Sequence, residues 1–219
     1  YCHEIAKKYG PITIITLCNN LEAALKDDPL IEKIVFIKKY HKRFIDVLKL
    51  KKFLDTFNFY QIFIYYPSLR IYLASILSNI KKVYSYPVFK KKNLHLIMAA
   101  KKFTEKSLKI NNCPTEASFF IKRDKIENLN KNFDNSIFKI VIGAGSSGPT
   151  TKWKTDSFSD LINKLNNNGN YFFFILCGPD DKVLSDRITN QVKKNNCFSL
   201  YNKSIEEVIP YLCAADMYV

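Results

Sequence analysis

Between Gly143 and Lys154 the chain concentrates three glycines, four hydroxyl side chains and two lysines: Gly143-Ala144-Gly145-Ser146-Ser147-Gly148-Pro149-Thr150-Thr151-Lys152-Trp153-Lys154. Glycines let a backbone come close to a ligand, hydroxyls add donors, and an ammonium adds a full positive charge. That combination suits an anion, above all the paired phosphates of a nucleotide. Ser146, Ser147, Thr150, Thr151 and Lys152 are the candidate phosphate-side residues. A second short cluster, Gly178-Pro179-Asp180-Asp181, adds a glycine for close backbone approach and two carboxylates.

These residues need elements to hold them. Ile137–Ile142 is short, apolar and β-branched, as expected of a strand buried in a parallel sheet. Thr155 is the expected N-cap of a helix whose apolar residues Phe158, Leu161, Ile162 and Leu165 share one face. Gly169 follows where a stop is expected, and Tyr171–Cys177 is the next strand. The positive end of the helix dipole would then lie beside the loop and favour an anion. Gly143-x-Gly145-x-x-Gly148 matches the dinucleotide fingerprint literally. That fingerprint needs a helix opening within the loop and an acid about 20 residues on. Here Pro149 and Thr-Thr-Lys-Trp intervene, and Asp180 and Asp181 come too late. A nicotinamide or flavin dehydrogenase is therefore the alternative rather than the leading reading.

The first half alternates in the same way. Strands are expected at Ile12–Leu17, Ile34–Ile37, Phe59–Tyr66 and Lys82–Ser85, with helices near Phe44–Leu54, at Leu69–Leu77 and at Leu94–Leu108. Residues 113–135 are polar with little periodicity and read as a linker. The expected organisation is an N-terminal lobe over 1–112, that linker, and a C-terminal nucleotide-sugar-binding lobe over 136–219. Ser204-x-x-Glu207 is a capping box opening the last helix, which Pro210 should kink.

The motifs Gly143-Ala144-Gly145-Ser146-Ser147, Lys152-Trp153, Phe158 and Leu161, then Phe174-Ile175-Leu176-Cys177-Gly178-Pro179-Asp180-Asp181, resemble the donor-binding half of glycosyltransferase family 9, the ADP-heptose:lipopolysaccharide heptosyltransferases. Ser204-Ile205-Glu206-Glu207-Val208 with Leu212-Cys213-Ala214-Ala215-Asp216 resembles that family's next helix and strand start. Phe59–Tyr66, Ser68-Leu69-Arg70 and Lys82–Tyr86 carry a weaker likeness. The departures are Thr151 where the family has lysine, Lys154 for a proline, Cys177 for a glycine and Asp181 for a glutamate.

The resemblance implies an α/β chain of GT-B type, two Rossmann-like lobes with parallel sheets facing a cleft, both incomplete in this chain. It implies an inverting, metal-independent transfer of heptose from ADP-heptose to the lipopolysaccharide inner core, with no cofactor. Asp181 would accept from the ribose hydroxyls. The family's catalytic base belongs to a first-strand loop that nothing here matches, and its D-S/T-G-x-x-H loop is likewise unmatched. The chain is therefore expected to be a fragment, inactive alone, and no catalytic residue is nominated; Asp27, Asp28 and Asp46 are the available carboxylates.

At 219 residues and 47 % hydrophobic content the chain is long enough for a substantial core. Its net charge of +14 is lopsided: residues 1–112 carry 21 Lys and Arg against 8 Asp and Glu, whereas residues 113–219 carry 13 against 12. Clusters at Lys38-Lys39, Lys42-Arg43, Lys49/Lys51/Lys52, Lys81-Lys82, Lys90–Lys92 and Lys101-Lys102 favour a polyanionic partner. The partners expected are an ADP-sugar donor, a phosphorylated glycolipid acceptor and an anionic membrane touched peripherally. No zinc-finger, RNP or helix-turn-helix signature appears, which argues against nucleic acid. The alternatives are another nucleotide-using α/β enzyme, either a different GT-B transferase or a Rossmann dehydrogenase, and a non-catalytic basic module that binds an anionic surface. The six cysteines form no C-x-x-C pair, His3, His41 and His95 are isolated, and no uninterrupted apolar run is long enough for a spanning helix. The expected location is cytoplasmic, on the inner face of the membrane.

Overall fold

A computed structural model describes residues 1–37, 46–86, 95–116, 120–145, 153–192 and 196–219. The basic clusters at 38–39, 42–43 and 90–92 lie outside these residues. The chain forms two compact units, one of residues 1–22 and 28–118, the other of residues 23–27 and 119–219.

In the first unit the order is α1 (Cys2–Tyr9), β1 (Ile12–Thr16), α2 (Leu21–Leu25, whose end belongs to the second unit), β2 (Ile31–Phe36), α3 (Asp46–Asp55), β3 (Gln61–Ile64), α4 (Leu69–Leu77), β4 (Lys82–Ser85) and α5 (Leu96–Leu108). Among the described residues β1 pairs with β2 and β3 with β4, both parallel. Parallel neighbours need a crossover, and helices supply it. Val47, Leu50 and Leu54 of α3 meet Ala74 of α4 and Ile80, with Ile15, Ile62 and Val83 packed against them from the strands. Ser68 caps α4, its hydroxyl accepting from Ile71 N at 3.4 Å.

The second unit continues with α6 (Arg123–Asn130), β5 (Phe138–Gly143), α7 (Thr155–Asn166), β6 (Tyr171–Leu176), α8 (Lys182–Gln191), β7 (Cys197–Ser199), α9 (Ile205–Ala214) and β8 (Met217–Tyr218). Its strands form one parallel sheet in the order β7-β6-β5-β8. Side chains alternate across the sheet, so successive residues serve opposite faces. Ile140, Ile142, Ala144, Phe173 and Ile175 pack with Phe158 and Ile162 of α7 and Ile188 of α8. Val141 and Phe174 point the other way, against Leu200, Phe133, Tyr211 and Leu212. Both faces are covered, which explains why these strands read as continuous apolar runs rather than alternating ones.

Several local expectations change. Lys154, not Thr155, is the N-cap of α7, and no side chain caps that end; the turn closes instead through Ser157 N to Lys154 O at 3.0 Å. The aperiodic stretch 113–135 holds α6, an eight-residue helix with no buried residue. Helix α9 contains Pro210 at its sixth residue, where proline removes the donor that would reach the Glu206 carbonyl.

Candidate functional site

The second unit's sheet has one topological feature that matters for ligands. From β5 the chain adds β6 and then β7 on one side, and returns to lay β8 on the other. In open parallel sheets the crevice at the carboxyl ends of the strands, where this order reverses, is where ligands bind. The carboxyl end of β5 is the start of the glycine-rich loop. Ala144 N donates to Leu176 O at 3.1 Å and Gly145 N to the same oxygen at 3.4 Å, so the loop leaves β5 still fastened to β6.

Two glycines at this edge have steric reasons to be glycine. A Cβ on Gly143 would collide with the hydroxyl of Tyr218 from β8. A Cβ on Gly145 would sit 2.8 Å from Asp181 Oδ2 and 3.1 Å from Gly178 N. The Asp181 carboxylate could swing aside, but the Gly178 backbone could yield only by a shift of the turn, so the bare Gly145 lets the second cluster lie close against it. The structure thus brings Gly145 together with Gly178 and Asp181, which lie more than thirty residues further along the sequence.

The Gly178–Asp181 segment is a fixed turn, Asp181 N donating to Gly178 O at 3.1 Å. Tyr201 beyond β7 holds it from the side, its hydroxyl donating to Pro179 O at 3.0 Å. Asp181 stands at the N-cap of α8 but does not cap it. Its carboxylate is directed to Gly145 instead, half-buried, while Asp180 beside it is exposed. Helices α7, α8 and α9 follow β5, β6 and β7, so their amino ends and the positive poles of their dipoles all emerge at this same edge.

Ser146, Ser147, Thr150, Thr151 and Lys152 lie outside the described residues. Their flanks are described: Gly145 on one side and Trp153 on the other. Trp153 is 57 % exposed, with its ring tilted over Phe158 at a centroid distance of 5.5 Å. Tyr218 was not singled out in the sequence. Only the return of β8 beside β5 puts it here, and a two-residue strand carries no periodicity to reveal it.

The three carboxylates considered as bases are all engaged. Asp28 is buried and lies 2.6 Å from His3 Nε2. Asp27 pairs with Lys125 at 3.0 Å and Lys122 at 3.4 Å, and the hydrogen bond from Lys125 holds its carboxyl below the usual range. Asp46 is buried, 3.9 Å from Lys49. Among the described residues no cluster of three His, Cys, Asp or Glu side chains has the arrangement of a metal site.

Solved structures share the fold of this chain. The glycosyl transferase family 9 protein of Veillonella parvula superposes with a TM-score of 0.73 at 13 % identity, over 99 % of this chain and 68 % of that one. Escherichia coli ADP-heptose lps heptosyltransferase II gives 0.64 at 13 % identity, over 99 % and 72 %. Escherichia coli heptosyltransferase WaaC with ADP gives 0.63 at 13 % identity, over 99 % and 74 %. No family model matches the sequence, and no curated protein matches it by sequence. The fold is therefore α/β with parallel sheets, of the GT-B type found in these glycosyltransferases.

Proposed function

We propose that this chain is a nucleotide-sugar-dependent glycosyltransferase that moves heptose from ADP-heptose to a phosphorylated glycolipid, the inner core of lipopolysaccharide, with inversion and without a metal ion. The observation that carries the proposal is the meeting of Gly145 with Gly178 and Asp181 beside the strand-order reversal. It is supported by a fold shared with proteins described as an ADP-heptose heptosyltransferase and as a heptosyltransferase with ADP.

The chemistry follows from where charge develops. As the acceptor hydroxyl attacks the anomeric carbon it gives up its proton to a general base, a role to which no residue of this chain is assigned, while the bond to ADP breaks and negative charge grows on the leaving phosphate oxygens. Fixed amides, hydroxyls and a cation aimed there lower the barrier. Ser146, Ser147, Thr150, Thr151 and Lys152 take that role, and the amino end of α7 adds its dipole. Asp181 accepts hydrogen bonds from the ribose hydroxyls, and Gly178 lets the nucleotide approach the backbone. The Lys152 ammonium and the helix dipole do the work a metal would otherwise do, so ADP binding is expected to persist in excess EDTA. In this reading the enzyme works in the cytoplasm, on the inner face of the membrane.

Titration calorimetry tests the nucleotide reading. ADP is expected to bind and Lys152→Ala to weaken it by about ten- to a hundredfold, the usual scale for one charge-assisted phosphate contact. Binding of NAD with none for ADP would instead make the protein a dinucleotide enzyme.

A further inference from the structure

Strand β8 is only two residues long, yet it brings one polar side chain to the carboxyl edge of the second unit's sheet. Tyr218 pairs with Val141 of β5 in parallel register, so its side chain leaves the sheet on the face shared by Val141 and, two residues on, Gly143. It leans along the strand toward that edge. Its hydroxyl is the atom a Cβ on Gly143 would strike first, ahead of the ring carbon Cζ at 3.0 Å. The backbone around it is fastened: Gly143 N donates to Val219 O at 2.7 Å, Val219 N to Val141 O at 2.9 Å and Asp216 N to Lys139 O at 2.8 Å. The hydroxyl takes no part in that fastening. Among the described residues no group hydrogen-bonds it.

Gly143 and Gly145 are two residues apart, no more than about 7 Å of extended chain. Each leaves room for a side chain arriving from a different flank of β5. Tyr218 comes over Gly143 from β8, and Asp181 comes against Gly145 from the turn after β6. Their chemistries are opposite: an ionised carboxylate only accepts hydrogen bonds, whereas a phenol can donate one. A ligand lying across the carboxyl end of β5 therefore meets an acceptor on the β6 side and a donor on the β8 side. A nucleoside diphosphate has the matching polarity, with ribose hydroxyls that donate at one end and phosphate oxygens that accept at the other. The reverse orientation would set phosphate against the Asp181 carboxylate, like charge against like.

We propose that Tyr218 is a substrate-contact residue of the nucleotide site. Its hydroxyl donates to a phosphate oxygen of the nucleoside diphosphate, which sets the phosphates on the β8 side of β5 and the ribose on the β6 side. The inference rests on the nucleotide reading above and adds to it one residue and a direction. A phenol donating to phosphate is a charge-assisted hydrogen bond, and it strengthens as negative charge grows on the leaving phosphate.

Titration calorimetry with ADP on the original chain, Tyr218→Phe and Tyr218→Ala tests it. Phenylalanine keeps the ring and removes only the hydroxyl, and urea unfolding checks that each variant keeps its fold. A hydrogen bond to phosphate lowers ADP affinity by about tenfold in both variants. A packing role leaves Tyr218→Phe at the original affinity and weakens only Tyr218→Ala, and that result overturns the proposal. Deoxy-ADP, which lacks a ribose hydroxyl, tests the direction. Its loss relative to ADP should be the same factor in the original chain and in Tyr218→Phe, because the two contacts lie at opposite ends of the ligand. A factor that vanishes in Tyr218→Phe would put the phenol on the ribose and overturn the assignment. ADP binding that Tyr218→Phe does not change removes this inference alone, whereas no ADP binding by the original chain removes the nucleotide reading and this inference with it.

Discussion

Gly145 shows how much one hydrogen atom in place of a methyl can matter at a site. Any side chain there meets Asp181 Oδ2 at 2.8 Å and the amide of Gly178 at 3.1 Å. A carboxylate can rotate away, but backbone cannot, so Gly145→Ala should push the two loops apart. The expected result is ADP affinity reduced by about tenfold or more, read by calorimetry, with the far-ultraviolet spectrum unchanged. Unchanged affinity would remove Gly145 and Asp181 from the binding surface. Neighbouring Trp153 is the chain's one tryptophan, so its emission gives a convenient second readout of the same titration.

Among the elements, α9 has the most fully specified start. Ser204 Oγ accepts from Glu207 N at 3.3 Å, and Glu207 Oε2 accepts from Ser204 N at 2.8 Å. Ser204→Ala should destabilise the protein by about 1 kcal/mol, the usual loss for a helix cap, measured by urea unfolding. The backbone hydrogen bond from Ser204 also holds the Glu207 carboxyl below its ordinary range. A carboxylate with a depressed folded pKa stabilises above its unfolded pKa and loses that contribution as pH falls through the folded one. The difference between the original chain and Glu207→Gln, which keeps an acceptor but has no titrating carboxyl, should therefore shrink on acidification below the normal glutamate range. A gap constant across that range would mean the reciprocal bond is not formed in solution. Elements such as α6 behave differently. Arg123–Asn130 is mostly polar and buries no residue, so nothing in its pattern announces a helix; Lys125 reaching Asp27 is one of the contacts that hold it.

For the molecule as a whole, alkaline stability should reveal the packing of the first unit. Burial in that unit, opposed by the hydrogen bond to Thr104 Oγ1 at 2.7 Å, raises the Tyr65 hydroxyl to about 12. The unfolded chain loses this proton near the ordinary value of about 10, before the folded one does. Stability from this group is thus complete below pH 10 and lost as pH rises toward 12. Tyr65→Phe should remove that slope and reduce neutral stability by about 1 kcal/mol, because Thr104 still donates to Ala100 O. Chemical denaturation at a series of alkaline pH values would detect it, and an identical slope in the variant would count against a buried hydroxyl. The charge excess of residues 1–112 is also a whole-molecule property. It acts through long-range attraction, and the exposed lysines of α5 are one described place where it has a definite surface.

What the sequence determined by itself was the alternation of strands and helices and the kind of chemistry the loop after β5 supports. Runs such as Ile140-Val141-Ile142 and Phe172-Phe173-Phe174 are apolar on both faces because both faces are covered, and that leaves a local mark anyone can read. Tertiary structure alone decided which residues meet. The return of β8 beside β5, the approach of Asp181 to Gly145 and the seat of the Tyr218 hydroxyl over Gly143 depend on contacts between distant segments. Such contacts are chosen by the packing of the whole unit, and no local periodicity records them.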